Sequence, residues 1–266
     1  MDKNSTYIFC ILFFACSSFA LFKKERATLY IIGDSTVRNG DGTGKNNQWG
    51  WGNFIVDYFD TTRISVRNHA IGGRSSRTFI TEGRWDRIMT ELKKGDYVIM
   101  QFGHNDAGPL DDTARARGTI RGIGTESKEI YNPIRKVNEV VYTYGYYMRK
   151  YIRDTKAKGA IPVVCSPIPR NDWKEGKVVR SAETYSGWAR QVAKEEGAFF
   201  IDLNDLVAKQ YELMGADAVK PFFPVDHTHT NKEGAELNAK IVAQQLKQMN
   251  PGKMKKFMLA VPSSAR

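Results

Sequence analysis

The sequence predicts an α/β protein, a three-layer α/β/α sandwich around a central parallel sheet of about five strands. Three observations carry this. Short apolar runs recur along the chain, end in turn residues, and are separated by stretches of helical spacing. The runs are continuous rather than alternating, as strands covered on both faces are. The length, 266 residues, suffices for one well-buried α/β domain and falls short of two.

The elements follow in order. Residues 28–32 (TLYII) form a first strand that runs into Gly33-Asp34-Ser35. Residues 64–68 form a second, ending before Ile71-Gly72-Gly73. Trp85, Ile88, Met89 and Leu92 share one helical face. Residues 97–102 (YVIMQF) form a third strand, ending at Gly103-His104-Asn105. The spacing predicts one long amphipathic helix over 137–158, stopped by Gly159. Residues 161–166 (IPVVCS) form a fourth strand, broken by Pro167 and Pro169. A helix over 184–196 stops at Gly197, and 198–202 (AFFID) form a fifth strand. A last helix covers 231–249, with Thr230 and Asn231 as cap candidates. The Gly- and Arg-rich stretch 107–135 lacks periodicity and exceeds ordinary connections, which predicts a binding loop.

Residues 1–20 (MDKNSTYIFCILFFACSSFA) have the form of a secretory signal peptide. Lys3 precedes an apolar stretch over 7–15, too short to span a bilayer, and Ser18-Phe19-Ala20 is a small-x-small cleavage pattern. Lipid attachment at Cys16 is a second reading, although Phe13 fits a lipobox poorly. One domain is expected over 21–250 and a basic, flexible tail over 251–266, in a secreted or periplasmic protein with no transmembrane span. Outside the signal only Cys165 remains, which leaves no internal disulfide and no thiolate zinc site. Its apolar run marks it as an inert core thiol.

Hydrophobic residues at 41% and charged residues at 26% rule out a disordered, collagen-like or coiled-coil chain. Lys and Arg number 40 against 29 Asp and Glu, net +11, and part of the excess is the acid-free run of Lys247, Lys253, Lys255, Lys256 and Arg266. A basic surface suits a polyanion, whether nucleic acid, anionic lipid or acidic polysaccharide. The export signal and the lack of aromatic-basic stripes speak against nucleic acid.

In an open α/β sheet, ligands bind at the carboxyl ends of the strands. Three strand ends and one late loop carry Gly33-Asp34-Ser35-Thr36, Gly72-Gly73-Arg74-Ser75, Gly103-His104-Asn105-Asp106 and Asp226-His227-Thr228-His229. A serine hydroxyl needs a general base, and an imidazole serves if a carboxylate holds its other nitrogen. Asp226 and His229, three apart, can share one face of a turn; Asp226 and His227, adjacent, point apart. Ser35 is then the nucleophile, His229 the base and Asp226 its orienter. The backbone N–H groups of Ser35 and Gly73 and the amide of Asn105 are the oxyanion donors. Each piece alone has a plainer reading as a turn, a loop or a cap. His227 and His229 can also be read as metal ligands, at a spacing that fits helical ligand sites poorly.

The ordered set resembles the SGNH (GDSL-like) hydrolases over nearly the whole mature chain. The fuller wording of 68–75 (NHAIGGRS), 101–106 (QFGHND) and 165–170 (CSPIPR), with Gly-Asp-Ser-Thr in place of Gly-Asp-Ser-Leu, is similar to that of the rhamnogalacturonan acetylesterase branch. The resemblance implies a flavodoxin-like sheet, no metal and no cofactor, and the same roles for Ser35, Gly73, Asn105, Asp226 and His229. It also implies the substrate class, acetyl esters on acidic pectin.

Arginine binds uronate carboxylates bidentately and tryptophan stacks on sugar faces. Arg74, Arg77, His104, Arg170, Asn171 and Trp173 are therefore candidate substrate-binding residues, with Arg115, Arg117 and Arg121 in the long loop. Arg74 can equally be a structural partner of Asp34 or Asp106. A monomer is expected, acting on acetylated acidic polysaccharide or its oligosaccharides. The alternatives are a lipase or thioesterase on the same machinery, an esterase of another carbohydrate, and a non-catalytic polysaccharide binder.

Overall fold

The structure, a computed structural model, describes residues 26–260. The signal-peptide pattern and Cys16 lie outside them. In chain order the elements are β1 (Ala27–Gly33), β2 (Ile64–Asn68), α1 (Ser76–Thr81), α2 (Arg84–Glu91), β3 (Tyr97–Gln101), β4 (Ser127–Asn132), β5 (Val137–Tyr142), α3 (Tyr144–Ala157) and β6 (Ile161–Cys165). They continue with β7 (Trp173–Lys174), β8 (Lys177–Val178), α4 (Tyr185–Glu195), β9 (Phe199–Ile201), α5 (Leu203–Met214), α6 (Ala216–Val219) and α7 (Lys232–Met249).

Five of these strands form one parallel sheet in the order β2-β1-β3-β6-β9, as the apolar runs require. Strand alternation divides the core into two layers. Leu29, Ile31, Tyr97, Ile99, Val163 and Cys165 pack against α5 and α7. Tyr30, Ile32, Val98, Met100 and Val164 face the opposite way, against α1 to α4. Burial pushes the Cys165 thiol far up, which keeps it unreactive. Three helix starts are capped by side chains: Ser75 and Thr78 close a reciprocal box on α1, Thr143 caps α3, and Asn231 caps α7.

Two expectations need correction. Residues 137–158 are not one helix. The first third, with Val137, Val140, Val141 and Tyr142, is β-branched and aromatic, and it pairs antiparallel with β4 as a hairpin before Thr143 restarts the chain as α3. The tail is ordered from residue 251 to 260. A 3-10 segment, Pro251–Phe257, buries Pro251 and Met254 against the sheet, Tyr97 donates to the Gly252 carbonyl at 2.9 Å, and Met258 bridges Phe59. Its three lysines, Lys253, Lys255 and Lys256, mask an apolar anchor, and residues 261–266 lie outside the described region.

Met254 is fully buried. Met254→Ala should therefore lower unfolding free energy by about 2–5 kcal/mol, whereas exposed Lys255→Ala should stay within about 0.5 kcal/mol. Urea titration separates the two, and equal midpoints would show that this segment adds nothing to the core.

Candidate active site

Ser35 stands at the carboxyl end of β1, where the N–H groups of Val37 and Arg38 return to the Asp34 carbonyl at 3.1 and 3.0 Å. Gly33 is needed for this turn, since a Cβ there would lie 2.6 Å from both the Gln101 carbonyl oxygen and a Val37 methyl. Beneath the turn runs a buried chain of hydrogen bonds. Trp51 Nε1 donates to Gln101 Oε1 at 2.9 Å, and Gln101 Nε2 donates to Thr36 Oγ1 at 2.6 Å. Thr36 in turn donates from Oγ1 and N to Asp34 Oδ1 at 2.7 and 2.9 Å. His104 Nδ1 meets the other Asp34 oxygen at 3.2 Å, and its Nε2 reaches the Ile168 carbonyl at 3.0 Å. Burial alone would raise the Asp34 carboxyl, but the His104 charge and hydrogen bond, with the Thr36 donors, hold it below its ordinary value.

The late loop meets Ser35 across the chain. Ser35 Oγ lies 2.8 Å from His229 Nε2, and His229 Nδ1 lies 2.7 Å from Asp226 Oδ2. Asp226 Oδ1 accepts the backbone N–H groups of Thr228 and His229 at 2.7 and 2.8 Å, and Gln48 Nε2 donates to Oδ2 at 3.2 Å. Burial pushes this carboxyl up, but the His229 ring and these backbone donors outweigh it and bring it down to about 2. The loop is held by two ties: Trp49 donates to the Thr230 carbonyl at 2.8 Å, and Asn171 donates to that of His227 at 2.8 Å.

Facing Ser35, Gly73 adopts φ +78°, a conformation that favours glycine. Among the described residues, the N–H groups of Ser35 and Gly73 donate to no protein acceptor. The Asn105 amide uses one donor on the Arg74 carbonyl at 2.9 Å. Three donors thus stand beside a hydroxyl backed by an imidazole and a carboxylate. That arrangement can attack an acyl carbon and hold the oxyanion that results.

These groups open into a cavity of about 630 Å³ whose wall carries Arg74, Arg115, Arg117 and Arg170, with His104, Thr78, Glu82 and Ile134. Arg74 reaches the wall but spends Nε on Glu82 at 2.9 Å and Nη1 on the Gly72 carbonyl at 3.1 Å; its partner is thus neither Asp34 nor Asp106. His104 lines the cavity with both ring nitrogens engaged. Arg77 is a correction: its guanidinium is fully buried, so it touches no substrate. Asn171 and Trp173 are also corrected. The Trp173 N–H donates to Asn171 Oδ1 at 2.7 Å, the indole packs on the core, and neither residue lines the cavity. Arg121 lies over the Trp188 ring instead. His227 faces Asp172 at 2.8 Å and Arg170 at 3.4 Å, while His229 faces Ser35, so the two rings do not converge on one point. Sequence spacing gave no sign of the contribution of Gln48, of Ile134 at the hairpin tip, or of the contact between Arg117 Nη1 and the Gly73 carbonyl at 3.1 Å.

The model of the GDSL-like lipase/acylhydrolase family matches residues 31–237. The chain belongs to that family. A rhamnogalacturonan acetylesterase of Emericella nidulans is 35% identical over 85% of this chain and 87% of its own length. A probable rhamnogalacturonan acetylesterase of Bacillus subtilis is 33% identical over 83% and 93%. Among solved structures, YxiM of Bacillus subtilis superposes with a TM-score of 0.68 at 28% identity, covering 85% of this chain and 57% of that one. The acetylxylan esterase Axe2 of Geobacillus stearothermophilus, at 16% identity, superposes with a TM-score of 0.55 over 90% and 97%, and shares the fold. The protein is thus an SGNH carboxylic ester hydrolase of the rhamnogalacturonan acetylesterase-like branch.

In this hydrolase Asp106 lies fully buried behind Asn105 and accepts from the N–H and hydroxyl of Ser76. Burial raises its carboxyl against those two bonds, the Asp34 charge adds to the rise, and it stands at about 7. An unfolded aspartate titrates near ~3.9, so the folded form keeps a proton that the unfolded chain has lost between those values. The stability this contributes is complete below about pH 4 and is lost as pH rises through about 7. Asp106→Asn should flatten the fall of unfolding free energy across that window. An unchanged slope in urea titrations from pH 4 to 7 would place the raised carboxyl elsewhere.

Proposed function

We propose that this esterase is exported and removes acetyl groups from acidic plant polysaccharide of the rhamnogalacturonan type through an acyl-enzyme on Ser35. The observation that carries the reading is the unbroken line from Ser35 Oγ through the His229 ring to Asp226, beside three converging donors. Ser35 Oγ attacks the acetyl carbonyl as its proton passes to His229 Nε2. The oxyanion receives the N–H groups of Ser35 and Gly73 and the Asn105 amide. The tetrahedral intermediate collapses, the sugar hydroxyl leaves with the proton from His229, and a water activated by the same imidazole releases acetate. Asp226 keeps the ring oriented and balances its charge.

The substrate reading rests on the arginines of the cavity wall and on the names of the relatives. Arginine on one wall of a cleft attracts uronate chains and orients them by carboxylate contacts. Export rests on the signal pattern of residues 1–20.

Ser35→Ala should lower acetate release by about 10⁴-fold or more, and Asn105→Ala by about 10²–10³-fold. The measurement is acetate released from acetylated rhamnogalacturonan, acetylated xylan and an aryl acetate. Retained activity in Ser35→Ala would remove the nucleophile. A preference for xylan over the acidic polymer would overturn the substrate class while leaving the chemistry in place.

A further inference from the structure

Arg77 carries a charge with no exposed surface, which is tolerated only beside an opposite charge and hydrogen-bond acceptors. Its Nε lies 2.8 Å from Glu139 Oε1 as an ion pair, although the two atoms are not aligned as a hydrogen bond. Its Nη1 donates to the Gly118 carbonyl at 2.7 Å, and Nη2 donates to those of Ala116 and Leu110 at 2.6 and 3.0 Å. Two of these carbonyls flank Arg117. Glu139 sits on β5 and is itself held by Arg135 Nη1 at 2.7 Å and Asn132 Nδ2 at 3.3 Å. The hairpin, α1 and the arginine loop therefore meet at one buried ion pair.

What that pair fixes is unusual backbone. Ala116 has φ +42°, a strained conformation for a residue with a Cβ, and it is buried. Asp112 accepts the N–H groups of both Arg115 and Ala116, and Arg77 accounts for the Ala116 carbonyl. The strained residue turns the chain so that Arg117 reaches back to the Gly73 carbonyl while lining the cavity. Among the described residues, that is the one hydrogen bond its guanidinium makes, so its remaining donors are free to meet a ligand in the cleft.

We propose that Arg77 and Glu139 are positioning residues that hold Arg117 on the cavity wall and so set a selectivity for uronate-bearing sugar chains. This deepens, and rests on, the esterase reading above. A planar guanidinium pinned at one nitrogen presents its other edge in a fixed direction, which suits bidentate carboxylate capture. Freed of Arg77, the loop around Ala116 would relax toward ordinary backbone and Arg117 would lose its register.

The test measures inhibition of aryl acetate hydrolysis by unacetylated oligogalacturonate in the unmodified protein, Glu139→Gln, Arg117→Gln and the double variant. Both single variants should raise the inhibition constant about tenfold, while kcat on the aryl acetate in Glu139→Gln changes less than about twofold. The double variant should be no worse than Arg117→Gln, because Glu139 acts through Arg117. Arg117→Lys should recover part of the loss. Equal loss of kcat and inhibition, additive effects in the double variant, or an unchanged constant in either single variant would each overturn the proposal. Should Glu139→Gln fail to fold, Glu139→Asp, which keeps the charge on a shorter arm, is read by the same criteria. Calorimetric binding of the oligomer in a Ser35→Ala background repeats the comparison without turnover, so failure of the esterase reading and failure of this one are seen separately.

Discussion

The geometry of the candidate active site depends on one contact, the 2.8 Å approach of Ser35 Oγ to His229 Nε2 across 194 residues of sequence. A contact between a strand end and a distant loop is entropically costly unless both partners are already held. The sheet holds the first. The second is held by the Trp49 and Asn171 bonds to its backbone, and by the Asn231 cap that starts α7 two residues after His229. The imidazole is thus placed by backbone pairing on both sides of it, and its own side-chain bonds need only set the ring's rotation.

The same constraint explains what lies under Ser35. A carboxylate with no solvent exposure, next in sequence to Ser35, would be prohibitive if unpaired. Asp34 is instead matched by Thr36 on one oxygen and His104 on the other. His104 reaches Asp34 through Nδ1 and the Ile168 carbonyl through Nε2, and so ties the end of β1 to the segment after β6. Thr36 also explains the wording of the motif here: a leucine would keep the backbone donor to Asp34 but lose the hydroxyl that donates to Asp34 and accepts from Gln101. The rigidity of the turn therefore comes from a buried polar chain in which each member is satisfied, and apolar packing alone would not fix the Ser35 rotamer so closely.

How far all this was legible from the sequence depended on the range of the interaction. The five apolar runs and their turn residues gave the sheet, because burial on both faces writes itself into composition. The four polar clusters were legible as one set because chemistry needs particular residue types at strand ends, and the fold brings members of all four to one cavity. The hairpin was missed because Val137, Val140 and Val141 fit a helical stripe as well as a strand, and only pairing with β4 decides between them. Arg77 was misread for a related reason. An arginine a few residues after Gly73 looks like a ligand contact, and nothing local announces a carboxylate 62 residues away, at 139, that draws it into the interior. Asn171 and Trp173 were misread because their mutual bond closes a turn away from the cleft.

The cavity wall shows why a count of arginines overstates a binding site. Arg74 is spent on Glu82 and the Gly72 carbonyl, and Arg170 leans toward His227. Arg77 is consumed inside the protein. What remains for an anion is the set of donors that the fold positions without using up, which narrows to the loop arginines. Charge near a site raises local concentration of an anionic chain at long range, and salt weakens that effect. Discrimination between chains needs a guanidinium whose direction is fixed, and direction is a property of the groups behind it. In this fold the groups behind Arg117 are a buried cation and a hairpin carboxylate, so the direction of its guanidinium is fixed from a layer behind the cavity wall.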